Sequence, residues 1–184
     1  AMGDADIRID GETGTLIQAT DAPGVLGSGE TVFVGVDDVA TTGVGPSPGV
    51  VAFAKYQTAV VADSVTTQGE YGLGIAAVSL GSPDLEGIAV SVTSNSVATT
   101  GVEAAGITAA SIYGTKYGGS GSIVVSSGAV ETAGEYSHGI LALGGEDVTV
   151  TSGSVETTGY YSYGIIAVGP GSGTVDSRSV TTAD

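Results

Sequence analysis

The 184-residue sequence predicts an all-β chain: a right-handed parallel β-helix, a three-faced solenoid of about six rungs of about 25 residues each. Three observations lead there. The segments VTTQGEYGLGIAAVS (65–79), VATTGVEAAGITAAS (97–111), VETAGEYSHGILALG (130–144) and VETTGYYSYGIIAVG (155–169) share one gapless frame: a valine, two glycines and a following Ile-x-Ala. Within each coil the apolar residues alternate with period two between Gly, Ser and Asp, and no stretch keeps helical spacing over three turns. The anchoring valines Val39, Val65, Val97, Val130, Val155 and Val180 are separated by 26, 32, 33, 25 and 25 residues.

Taken in chain order, Ala1, Met2 and Gly3 read as a cloning scar. Residues 4–31, with IRID at 7–10, read as a degenerate first coil or N-terminal cap. Residues 32–184 are expected to form the β-helix. VATTGVGPSPGVVAFA (39–54) is a looser copy with one extra residue before its second glycine, and VTTAD (180–184) is a copy cut short. A complete solenoid caps its last open edge, so the abrupt stop reads as an excised fragment truncated at its C-terminus.

Each coil supplies three short strands. Strand one points pairs such as Val90/Val92, Ile123/Val125 and Val148/Val150 inward; strand two contributes Val97/Thr99, Val130/Thr132 and Val155/Thr157; strand three contributes Ile107/Ala109, Ile140/Ala142 and Ile165/Ala167. An alanine recurs at Ala52, Ala77, Ala109, Ala142 and Ala167, which implies a narrow place inside the coil. Coils stacked about 4.8 Å apart pair each strand with its equivalent above and below. The glycines Gly69/Gly74, Gly101/Gly106, Gly134/Gly139 and Gly159/Gly164 suit corners that need positive φ or close backbone approach. Right-handedness follows from the general preference of crossovers between parallel strands.

Composition removes several functions. With 20 acidic residues against Arg8, Lys55, Lys116 and Arg178, the formal charge is −16. Such a chain does not neutralise phosphates, so neither nucleic acid nor an anionic membrane surface is an expected partner. No cysteine is present, which excludes disulfides and thiolate metal sites. A hydrophobic share of 41% and a mean hydropathy of +0.33 argue against disorder.

The phrases SGSVETTGYYSYGIIAV and SVATTGVEAAGITAAS resemble the repeats of autotransporter passenger domains from Gram-negative bacteria, over roughly residues 32–184. The resemblance implies type V export, membrane contact only through a C-terminal β-barrel that lies outside this sequence, and display on the cell surface. It also implies a structural or adhesive role, with a host or neighbouring-cell surface protein or glycan as partner. A carbohydrate-active enzyme of the same fold, a polysaccharide lyase or hydrolase, is the alternative.

Candidate chemistry is sparse. Asp37-Asp38 and His138-Gly139 match fragments of a polygalacturonase signature whose other segments are absent, and they read better as corner residues. Glu131 and Glu156 share an outward position on adjacent rungs, about 5 Å apart by rung spacing, but a solvated charged face accounts for them. No catalytic, cofactor or metal residues are assigned. Calcium suits the acidity, yet GGSGS (118–122) lacks the aspartate of the calcium-binding repeat.

Partner binding is the expectation instead. Tyr71, Tyr136 and Tyr161 form a corner column interrupted by Glu103 and flanked by Tyr160 and Tyr163. From second glycine to the next inward valine three coils use 11 residues, whereas Gly74 to Val92 uses 18 and Gly106 to Val125 uses 19. The two insertions, 79–87 and 111–121, are expected to project side by side and carry Asp84, Glu86, Tyr113, Lys116 and Tyr117. Finally, the outward positions of strand three are apolar: Val51, Phe53, Val78, Leu141, Leu143, Ile166 and Val168. Loss of alternation on this face alone predicts burial on both sides, hence self-association or docking of a neighbouring segment.

Overall fold

In a computed structural model, which describes residues 6–11, 14–81, 85–112, 120–144 and 146–184, every regular element is a strand. In chain order these are β1 (Ile7–Asp10), β2 (Leu16–Thr20), β3 (Val25–Thr42), β4 (Val50–Gln68), β5 (Ile75–Ser79) and β6 (Leu85–Thr100). They continue with β7 (Ile107–Ser111), β8 (Ser120–Ala133), β9 (Ile140–Gly144), β10 (Val148–Thr158), β11 (Ile165–Val168) and β12 (Gly173–Ala183). All pair in parallel within one 12-stranded sheet that winds round as a β-solenoid, with path β11-β9-β7-β5-β4-β6-β8-β10-β12; β3 pairs with β4, and β1 and β2 pair with β3.

The register stacks like on like. Val65 pairs with Val97, Val97 with Val130, Val130 with Val155 and Val155 with Val180. Ile75, Ile107, Ile140 and Ile165 form a second column, and Ala52, Ala77, Ala109, Ala142 and Ala167 a third. Side chains of one size repeat at one height, so β-branched residues interlock along the stack without any large ring in the core. The inward valines and isoleucines of β4, β6, β8 and β10 are fully buried, on the side that the alternation predicts.

Two features differ from the sequence reading. Strands one and two are not separate elements: β10, for example, runs through both, and the ladder only skips one residue per coil at Asp63, Asn95, Gly128 and Gly153. A one-residue bend lets the hydrogen-bond ladder resume immediately, so the corner interrupts neither strand. The boundary expected between residues 31 and 32 falls inside β3, whose first residues Val25–Gly29 pair with Val50–Ala54. β1 and β2 likewise continue the stack, pairing with Val32–Gly35 and Asp38–Thr42.

The two corner glycines of each coil answer different needs. Gly69, Gly101, Gly134 and Gly159 have φ between 135° and 145°, a region that side chains disfavour. Gly106 shows no such φ, but a Cβ there would lie 2.5 Å from Val130 Cγ1 and 2.7 Å from the Gly139 carbonyl oxygen. Glycine is needed first for conformation and then for space.

Candidate functional site

The corner joining strands two and three is built by polar groups that point inward. Thr67, Thr99 and Thr132 are buried, and each hydroxyl donates to the carbonyl five residues ahead: Gly72 at 2.6 Å, Ala104 at 2.5 Å and Ser137 at 2.8 Å. Burying a hydroxyl without a partner is costly, so this bond both satisfies the threonine and fixes the path of the corner. Serines then tie one corner to the next. Ser137 Oγ donates to the Gly101 carbonyl at 2.7 Å and accepts the Ala104 N–H at 3.0 Å, and Ser162 Oγ repeats this with Gly134 and the Ser137 N–H, both at 3.0 Å.

Corners pinned in this way hold a residue in the left-handed region: Tyr71 (φ 58°), Glu103 (55°), Tyr136 (57°) and Tyr161 (57°). A bulky residue there costs about 1 kcal/mol relative to glycine, and such strain persists where surrounding bonds over-determine it. Their N–H groups continue the stack: Tyr71 to the Val102 carbonyl, Glu103 to Glu135 and Tyr136 to Tyr160, each at 2.9 Å. The rings of Tyr136 and Tyr161 stack with centroids 5.3 Å apart, and Tyr160 meets Tyr161 edge-on at 5.0 Å. All three tyrosines of the predicted column, with Tyr160 and Tyr163, are exposed.

Beside them lies an open groove of about 390 Å³ lined by Glu103, Tyr136, His138, Thr108, Leu73 and Leu141 with Ala105. His138 is the neighbour of Tyr163: its Nδ1 accepts the Tyr163 N–H at 3.1 Å, and the two rings lie 5.2 Å apart. Partial burial moves its pKa below the usual 6.5 by penalising the charged form.

The other predicted residues are distributed elsewhere. Asp37 stands at a bend and accepts the Gly14 N–H, and Asp38 lies in the ladder between Leu16 and Ser64. Glu131 and Glu156 are ladder neighbours, both exposed, along a smaller hollow of about 180 Å³ with Ala98, Thr100 and Thr158. Among the described residues no three His, Asp or Glu side chains are grouped to hold a metal ion.

Asp84, Tyr113, Lys116 and Tyr117 lie outside the described residues, and Glu86 stands on β6. The roots of the two insertions do adjoin: Ser79 pairs with Ser111 where they leave, and Leu85 with Ser120 where they return. On the strand-three face Val51, Phe53, Val78, Leu141, Leu143 and Ile166 are half-buried, while Val168 is 57% exposed. Neighbouring coils shelter Val51, Phe53, Val78, Leu141 and Leu143 from two sides, whereas β11, which carries Ile166 and Val168, pairs on one side only, with β9. Within one chain the face is thus partly covered among the described residues.

Sequence reasoning missed two arrangements that depend on residues about 25 positions apart. Lys55 Nζ lies 3.3 Å from Glu30 Oε1 and 4.6 Å from the Tyr56 ring centroid. Hydrogen bonding to Tyr56, and then to Glu30, raises its pKa. Across the other edge of β3, Arg8 Nε lies 2.5 Å from Asp10 Oδ2, with Cζ 4.6 Å above the Phe33 ring. The available signal was the one-coil register, which sets Arg8 beside Phe33.

The chain matches no family model, and neither a curated protein nor a solved structure is significantly similar to it.

Proposed function

We propose that this chain is a structural and adhesive segment of an autotransporter passenger, a right-handed, three-faced parallel β-helix displayed on the surface of a Gram-negative bacterium. The observation that carries the reading is the valine column from Val39 to Val180, which keeps one register through every coil although two insertions enter it and the pairing shifts beside them between Leu85 and Val90. A stack of this kind acts as a rigid spacer, each coil adding about 4.8 Å of length. The insertions 79–87 and 111–121 and the tyrosine corner are its recognition elements, carried on a regular scaffold. The apolar strand-three face is its self-association surface. Membrane contact belongs to a separate β-barrel of the same export route.

An epitope inserted between Gly118 and Gly119, in the gene expressed with its natural flanking sequence in a Gram-negative host, tests the display. Antibody labelling of intact cells is expected. Labelling only after permeabilisation would overturn it. Trimming both insertions to ordinary coil length should abolish attachment to the target surface while the trimmed chain keeps its β spectrum; unchanged attachment would remove the loops from the proposal.

A further inference from the structure

The groove between Glu103 and Tyr136 has an unusual composition of surfaces. A tyrosine ring has two π-faces. One face of Tyr136 is taken by Tyr161, stacked at 5.3 Å with the planes 14° apart. Its other face is turned towards the preceding coil, whose equivalent corner residue is Glu103, not a ring. Both residues line the groove, Tyr136 is 48% exposed, and among the described residues no cation lies beside the Glu103 carboxylate.

The same molecule shows twice what this pair of groups holds. Lys55 is held between the Glu30 carboxylate and the Tyr56 ring, and Arg8 between Asp10 and the Phe33 ring. In both cases the cation lies 4.6 Å from the ring centroid. The groove at Glu103 and Tyr136 presents the carboxylate and the π-face with the place between them open. A negative quadrupole face and a carboxylate both attract positive charge, and a flat guanidinium matches the ring plane as well as the carboxylate fork.

We propose that this groove binds an arginine side chain of a basic partner polypeptide, its guanidinium stacked on the free face of Tyr136 and paired with Glu103. Charge selects the partner, because the chain carries 20 acidic residues against four basic ones. Exposed Glu70 and Glu135 flank the same corners and extend the negative potential along the stack. Leu73 and Leu141 give the arginine methylenes an apolar wall. The proposal names a partner chemistry for the adhesive reading but does not rest on surface display, so the test is made in solution.

The test titrates the chain with a hexa-arginine peptide, a neutral Gly-Ser hexapeptide and tetramethylammonium chloride, followed by tyrosine fluorescence and calorimetry. Hexa-arginine is expected to bind, and the neutral peptide not. Glu103→Gln and Tyr136→Leu should each weaken binding by about tenfold, whereas Glu131→Gln, which removes an equal charge on another face, should change it by less than about twofold. Tyr136→Asn, which suits the left-handed corner, guards against misfolding of the leucine variant and should weaken binding equally. Equal losses in Glu103→Gln and Glu131→Gln would show attraction by net charge alone and overturn the site. Tetramethylammonium binding without hexa-arginine binding would overturn the polypeptide partner, and full binding by either Tyr136 variant would overturn the stacking role.

Discussion

Tyr136 and Tyr161 lie one coil apart with nearly parallel rings, 5.3 Å between centroids, and both leave the backbone from a left-handed corner at φ 57°. Stacking and strain therefore act on the same side chain in opposite directions. A stacked pair contributes about 0.5–1.5 kcal/mol, and the left-handed backbone costs a similar amount.

Tyr136→Ala should accordingly lower stability by about 0.5–1.5 kcal/mol, because it loses the stack and keeps the strain. Tyr136→Asn should lie within about 1 kcal/mol of the parent, since asparagine tolerates the corner. Chemical denaturation of both variants checks the order; an asparagine variant less stable than the alanine one would show that strain at this corner is negligible.

Ala109 and Ala142 are fully buried neighbours in one column. Replacing either with leucine should destabilise the stack by about 1–3 kcal/mol through overpacking. Denaturation midpoints measure it, and a neutral result would place this strand face outward.

Thr99 donates to the Ala104 carbonyl inside the corner. Thr99→Val keeps the shape and leaves that carbonyl without the hydroxyl, an expected loss of about 1–3 kcal/mol. Amide exchange should quicken first at Glu103 and Gly106, whose N–H groups bond to the next coil. Uniform loosening would point to a global effect instead.

His138 has a pKa lowered by burial. The unfolded chain takes up this proton near 6.5, whereas the folded chain resists until lower pH. The contribution to stability is thus full above about pH 6.5 and disappears as pH falls through the folded value. Histidine NMR should give a midpoint below 6.5. Stability measured from pH 7 to 5 should fall more for the parent than for His138→Gln, and parallel curves would refute the burial effect.

What the sequence by itself determined is the stack. A valine, a threonine and an alanine returning at fixed places in a gapless frame leave one register in which apolar side chains all turn inward, since a one-residue slip would send Val97 and Ile107 to solvent. The column of Tyr71, Glu103, Tyr136 and Tyr161 was legible for the same reason. Only the tertiary structure decided how that column is arranged. Glu103 reads in the sequence as an interruption among tyrosines; in three dimensions it lines one groove with Tyr136, whose ring stacks on Tyr161. The pairing of Lys55 with Glu30 and the left-handed corners held by Thr132 and Ser137 were equally hidden. Periodicity fixes which residues sit one coil apart, but ring orientation, hydroxyl direction and the sign of φ depend on how neighbouring coils hold each corner.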